Sequence, residues 1–337
     1  MSPGHQPLRQ VDVHTHAMPL PLLEWLADAG LADLSGLPDG RILIDPSVSG
    51  MPGDTVLTCP PEMYDVSARL AAMADVGVEV HAVSLSPYLL GAVSRDSVAV
   101  LDLVRRGNDA LARFVAQAPD QLVALGAVPI GHAGLVGEAE RCLDLLGMRG
   151  LMIGTHGAGH ELAEPRHDPL WELLAARAVF TFLHPVAGPG GEGEPGVPWA
   201  ASVAASADLA LAVSGLVRAG VLERWDFPLC LAYGGGAVPG VRGALQRGWE
   251  RVSEAPDVHT APLDQLRRLY YDSATFDVQQ LRQLVEFVGP AHVLMGSDYP
   301  SKSGDTDPIG VVQECQLGPV QEMITGVNAA ALLELAL

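Results

Sequence analysis

The residues best able to do chemistry in this 337-residue chain begin with two histidines, His14 and His16, in the run Val11-Asp12-Val13-His14-Thr15-His16. Side chains at i and i+2 of an extended strand share a face. Both imidazoles can therefore converge on one divalent ion, zinc or another first-row metal; a pair of surface histidines is the plainer reading of the same spacing. His184 closes a second apolar run, Phe180-Thr181-Phe182-Leu183-His184-Pro185, either as a third ligand or as a satisfied core or rim histidine. Asp298 closes a third, Leu294-Met295-Gly296-Ser297-Asp298-Tyr299-Pro300. A carboxylate there can ligate a metal, act as a general base, or do both in turn. Its structural alternative is a helix cap or a loop turn.

These residues lie far apart in sequence, so the elements that carry them must bring them together. Short β-rich runs alternate with amphipathic helical runs along the chain. Strands are expected over Val11–His16, Glu79–Ser86, Leu122–Pro129, Gly150–His156, Val179–Pro185, Pro228–Tyr233, Leu269–Ala274 and His292–Asp298. Helices are expected over Val66–Ala74, Ser94–Gln117, Ala133–Leu146, Pro169–Ala176, Ala200–Ala219, Val241–Val252 and Val278–Val288, with a last stretch over Gly310–Leu337. Near-continuous apolar strands suit a parallel sheet covered on both faces. Eight such units point to an α/β fold, a closed (β/α)8 TIM barrel, with a doubly wound open sheet as the alternative. In a barrel the candidate ligands end strands at the C-terminal mouth, where such sites form. Residues 1–337 read as one domain. Residues 19–65 break the rhythm as an insertion after the first strand, with a hairpin around Gly40–Gly50 and a position over the mouth. The Gly/Pro-rich stretch Val186–Pro198 reads as one long loop.

Composition narrows the function classes. Forty acids stand against 20 bases, a net charge of −20, which argues against nucleic acids and anionic membranes as partners. Lys302 is the one lysine, and with abundant Ala and Gly this hints at a GC-rich bacterial source. Cys59, Cys142, Cys230 and Cys315 form no CxxC pair and read as reduced thiols. No apolar run approaches the length of a membrane span, and the first residues lack a signal-peptide pattern. A cytoplasmic enzyme is the expectation.

Taken together and in order, the motifs resemble the amidohydrolase superfamily, in the branch that contains aminocarboxymuconate semialdehyde decarboxylase. The resemblance runs through Arg141-Cys142, Leu145-Leu146-Gly147, Gly150, Ile153-Gly154-Thr155-His156 and Leu183-His184-Pro185. It continues through Gly234-Gly235-Gly236-Ala237, Pro239, Tyr271-Asp272-Ser273-Ala274 and Gly296-Ser297-Asp298-Tyr299-Pro300. It implies a barrel capped by one divalent metal, usually zinc (with manganese, iron or cobalt as alternatives), and commonly a homodimer. The implied ligands are His14, His16, His184 and Asp298, and all four positions are filled.

Three positions depart from the family. Its sixth strand ends in a histidine before three glycines, where this chain has Tyr233. A phenol, with an ordinary pKa of about 10, can donate a hydrogen bond to a developing oxyanion but is a poor base near neutrality unless its pKa is lowered. Two arginines that hold substrate carboxylates in the family, one of them contributed across the dimer, fall on Ile44 and Ala244; Arg41 and Arg247 lie nearby. Losing that bidentate fork points to a less anionic substrate. His156 and Trp199 are assigned to the substrate pocket, His160 is a candidate replacement base or a solvated loop histidine, and Trp249 is a pocket or packing residue. His5, His81, His132, His167, His259 and His292 carry no motif.

The resulting expectation is a metal-dependent enzyme acting on a small aromatic molecule. The leading reaction is cyclisation and dehydration of a 3-hydroxyanthranilate-derived ester or amide to a benzoxazole, as in actinobacterial secondary metabolism. There Asp298 would shuttle the proton and Tyr233 would steady the tetrahedral oxyanion. The alternatives are non-oxidative decarboxylation of an aromatic or semialdehyde acid, and ester or amide hydrolysis. A non-catalytic binding protein is disfavoured by the intact ligand set.

Overall fold

The computed structural model describes residues 9–53, 55–186, 198–251 and 258–335, without the side chains of 198–202. Eight parallel strands form one sheet in sequential order. They are β1 (Val11–Ala17), β2 (Val80–Leu85), β3 (Leu122–Ala127), β4 (Gly150–Gly154), β5 (Thr181–His184), β6 (Leu229–Leu231), β7 (Tyr270–Asp272) and β8 (Val293–Leu294). Each is buried along nearly its whole length, as the unbroken apolar runs require. A helix follows each strand: α1 (Val66–Val76), α2 (Ser97–Val115), α3 (Leu135–Asp144), α4 (Asp168–Ala176), α5 (Pro198–Arg218), α6 (Val238–Arg251), α7 (Val278–Val288) and α8 (Pro308–Glu314).

The sheet closes on itself, which settles the choice between barrel and open sheet. The seam is made by backbone bonds just past β8: Val13 N–H donates to Met295 O at 2.9 Å and His16 N–H to Tyr299 O at 2.8 Å. Asp12 locks it, its carboxylate accepting the N–H groups of His14 (2.9 Å) and Ser297 (3.2 Å) and the Ser297 hydroxyl. Burial pushes the Asp12 carboxyl up to about 7, against these bonds.

The helices form for local reasons. Asp96 caps α2, accepting from Val98 and Ala99 N–H, and the stripe Val100, Leu103, Val104, Leu111 and Phe114 is buried against the sheet. Asp277 caps α7 through Gln280 N–H, and Leu281, Leu284, Val285 and Val288 face inward. Among the described residues no helix is long and apolar enough to cross a membrane.

Three expectations need correction. The insertion is not built on a hairpin at Gly40–Gly50. Arg41–Ile44 is the middle of a three-stranded antiparallel sheet with Ala32–Asp33 and Leu57–Thr58. It runs into a helical turn, Pro46–Ser49, because Asp45 caps the Ser47 N–H at 2.8 Å. A further helix, Leu20–Asp28, buries Leu22, Leu23 and Leu26. The last strand is shorter than His292–Asp298: His292 ends a 3-10 turn, and Asp298 leaves the extended region at φ 63°. The C-terminal helical stretch is broken into separate pieces. Gly318 at φ 66° and the donorless Pro319 separate α8 from a final short helix, Asn328–Leu332. Residues 187–197 of the expected long loop lie outside the described residues.

Candidate metal centre

His14 and His16 leave β1 on its inner face, as the i, i+2 spacing requires, and meet His184 from the end of β5. Asp298 arrives from the turn after β8. One ligand atom from each of the four lies within 4.8 Å of the others, and all four residues are buried. The imidazole rings stand edge to face, with centroids 5.2 Å apart for His14–His16, 5.0 Å for His14–His184 and 4.9 Å for His16–His184.

The outer ring nitrogens are all anchored. His14 Nδ1 lies 2.6 Å from Asp272 Oδ2, and His184 Nδ1 lies 2.6 Å from the Pro185 carbonyl. Both partners are acceptors, so each Nδ1 carries the proton and each Nε2 presents a lone pair. His16 Nδ1 lies 3.0 Å from the Ser84 hydroxyl, whose own proton goes to Thr15 O at 3.1 Å, so His16 also donates. The three inner Nε2 atoms are buried and have no hydrogen-bond partner. Asp298 Oδ1 lies 3.4 Å from Nε2 of His14 and 3.3 Å from that of His16. Three unprotonated imidazoles and a carboxylate converging on one point, with orphaned lone pairs, fit a divalent ion.

The charge pattern agrees at Asp298 and His184 and runs the other way at His14. Burial would raise the Asp298 carboxyl, but the His16 Nε2 contact at 3.3 Å and the neighbouring imidazoles outweigh it and hold it at about 2. His184 is pushed well below 6.5 by burial and by its two neighbouring imidazoles. Burial also draws His14 down, but its bond to Asp272 and the surrounding carboxylates prevail, so its pKa is raised.

Tyr233 joins the centre. Its ring lies 5.0 Å from His14 and 5.4 Å from His184, and its hydroxyl donates to Asp298 Oδ2 at 3.1 Å. Burial, then the nearby Asp298 charge and bond, push its pKa well above 10, so it stays a phenol. The turn that presents it needs its glycines. Tyr233 has φ 55° and Gly234 φ 59°, and a Cβ on Gly234 would lie 2.5 Å from the Thr275 methyl. Asp272 braces both halves of the site, holding His14 with Oδ2 and accepting the Gly234 N–H at 2.7 Å with Oδ1.

The other sequence candidates fall elsewhere. His156 and His160 line a cavity of about 960 Å3 with Asp208, Ala244 and Trp249, which no metal ligand lines. His160 Nδ1 is tied to Glu164 at 2.9 Å, and the residue lies outside the ligand cluster. Trp249 donates to Val258 O at 3.1 Å, and the Trp199 side chain lies outside the described residues. Ile44 is buried in the core, while Arg41 and Arg247 hold surface pairs with Asp39 and Glu250. Sequence reasoning missed two residues. Asp272 closes an apolar strand as Asp298 does, and that signal was available. Tyr88, on the turn Pro87–Leu89 after β2, is close enough to Asp298 and Tyr233 for their charges to interact, and nothing in the sequence marks it.

The profile of a family described as amidohydrolase matches residues 11–335. The 2-amino-3-carboxymuconate-6-semialdehyde decarboxylase of Dictyostelium discoideum is 27% identical over 283 residues, covering 81% of this chain and 77% of that protein. The gamma-resorcylate decarboxylase of Rhodococcus jostii is 26% identical over 258 residues, covering 69% and 76%. Among solved structures, a dihydroxybenzoic acid decarboxylase from Polaromonas, with bound manganese and the inhibitor 2-nitroresorcinol, superposes with a TM-score of 0.78 at 19% identity, covering 97% of each chain.

Proposed function

The chain belongs to the amidohydrolase family and is a metal-dependent enzyme of it; from that premise we propose that it decarboxylates a hydroxylated aromatic acid without oxidation. The ion in this reading is zinc, which three imidazoles and a carboxylate suit, although manganese sits in the Polaromonas relative. When bound, the ion supplies a Lewis acid that orients and polarises substrate oxygens.

The observation that carries the reading is the contact between the two reactive side chains: Tyr233 O–H donates to Asp298 Oδ2 at 3.1 Å beside the ligand cluster, where the family resemblance has a histidine. The Tyr233 phenol, its pKa pushed well above 10 by burial and then by the Asp298 charge, is not an effective base near neutral pH. Hydrolysis is served by a base where the family has its histidine, and a phenol is a poor one. Decarboxylation needs a proton delivered: the bond from the ring carbon to the carboxyl carbon breaks, carbon dioxide leaves, and the ring carbon gains a proton. Asp298 Oδ2 would carry the proton, taking it from the substrate's own acidic groups and returning it to that carbon. Tyr233 O–H, bonded to Oδ2, fixes the direction of transfer. The decarboxylase relatives support the same choice.

Ring closure to a benzoxazole is kept as the second reading, because a phenol in place of the family's histidine suits an oxyanion better than it suits water activation. Product mass separates the readings. Loaded protein is offered 2,6-dihydroxybenzoate and, separately, a 3-hydroxyanthranilate aryl ester with a free ortho amine. Loss of carbon dioxide from the first is expected. Loss of water from the ester would put ring closure in its place, and gain of water would make the protein a hydrolase.

We also propose that two copies work together. Leu211 is 74% exposed on α5 and lines the cavity with Leu245 and Trp249 of α6. Ala244, the position that the family resemblance matches to an arginine lent across a dimer, lies in the same wall.

A further inference from the structure

Three non-glycine residues with left-handed backbone gather at this end of the barrel: Tyr233 at φ 55°, Asp298 at φ 63° and Phe276 at φ 57°. The first two are aimed at each other by their backbones and meet in a hydrogen bond. Phe276 has no part in the chemistry above. It sits in the turn between β7 and α7, where Thr275 N–H donates to Ser273 O at 2.7 Å and the Thr275 hydroxyl to Asp277 O at 3.0 Å. The same threonine's methyl fills the place where Gly234 lacks a side chain. The turn that carries Phe276 is therefore keyed into the turn that presents Tyr233.

A left-handed backbone is unfavourable for a bulky aromatic residue. Burial of the ring would be the usual compensation, yet Phe276 is 52% exposed. Its ring centroid lies 6.2 Å from that of Tyr233, with the planes tilted by 42°. That is within the range of aromatic pairing, and half of the residue stays exposed. Among the described residues no guanidinium pairs with Asp298 or Tyr233, and Phe276 adds aromatic surface beside them.

We infer that Phe276 is a specificity residue that stacks on the planar ring of the substrate as it enters above Tyr233 and Asp298. The inference rests on the aromatic-acid reading and names the contact by which such a ring is chosen: one planar ring, held by its face. A semialdehyde acid without a ring would gain little from it.

The test uses 2-nitroresorcinol, a coloured nitrophenol whose absorbance reports binding without turnover. Metal-loaded wild type and the variants Phe276→Ala, Phe276→Gly and Phe276→Tyr are titrated, with metal content measured in each. Phe276→Ala is expected to weaken binding roughly 3- to 10-fold at unchanged metal content. Phe276→Gly should do the same although it relieves the backbone, and Phe276→Tyr should restore affinity. Wild type that binds but is matched by Phe276→Ala would overturn the role of Phe276 and leave the aromatic-acid reading intact. Wild type that binds no nitroresorcinol would remove that reading and this inference with it.

Discussion

Tyr233→Phe deletes one oxygen, the one that donates to Asp298 Oδ2. The ring still packs beside His14 and His184, so fold and metal content should survive while kcat falls by roughly two to three orders of magnitude, the usual cost of one donor in a closed site. Rate and metal analysis of the same sample check this. Asp272→Asn should behave in the opposite way. The amide cannot both accept from His14 Nδ1–H and accept from Gly234 N–H with the same two atoms. Metal affinity, measured by competition with a chelator, should fall about 10- to 100-fold. A third residue ties stability to pH. Burial first, then the Arg69 guanidinium 3.1 Å away, holds His81 well below 6.5. The unfolded chain therefore takes up a proton that the folded chain refuses. The stability carried by neutral His81 is complete above pH about 6.5 and is lost as pH falls towards the folded value, by up to about 1.4 kcal/mol per pH unit. The urea midpoint of wild type should drop more steeply in acid than that of His81→Gln.

At the scale of elements, the last strand's turn has to touch two others. A Cβ on Gly296 would lie 2.8 Å from Asp272 Cβ and 2.9 Å from His14 Cβ. Gly296→Ala should wedge the turn off β1 and β7, weaken metal retention and destabilise by about 1–3 kcal/mol. Gly243→Ala, in α6 with nothing within 4 Å of its added carbon, should instead stabilise by up to about 1 kcal/mol. Denaturant melts of both variants test the pair. Strand ends were the most readable feature of the sequence, because a polar residue closing an apolar run at a barrel mouth has few structural excuses; His14, His16, His184 and Asp298 were found that way. The insertion was harder. Its outer strands, Ala32–Asp33 and Leu57–Thr58, are two residues each, too short for alternation to register. Phe276 was not legible at all, since an exposed aromatic in a turn leaves no periodic trace. His156, assigned to the substrate pocket by its strand end, lines a cavity whose walls include none of the metal ligands.

For the whole molecule, the exposed apolar wall of α5 and α6 gives the proposed pairing of two copies a direct check. Leu211→Asp should convert a dimer to a monomer in analytical ultracentrifugation, and a wild type that sediments as a monomer would refute the pairing. The barrel seam has a different consequence. Asp12 and Ser297, which lock it, stand 285 positions apart, and the candidate ligands flank them on both sides. An ion gripped by His14, His16 and Asp298 would thus work as a clasp between the first and last strands of the barrel. Because the unfolded chain cannot assemble that grip, free ion a thousandfold above its dissociation constant adds about 4 kcal/mol to stability. Stripping the ion should therefore be felt first as a slackening of the join, with the amides of Val13 and His16 exchanging with solvent sooner than those of the strands opposite. Catalytic competence and the wholeness of the ring would then be lost at the same place.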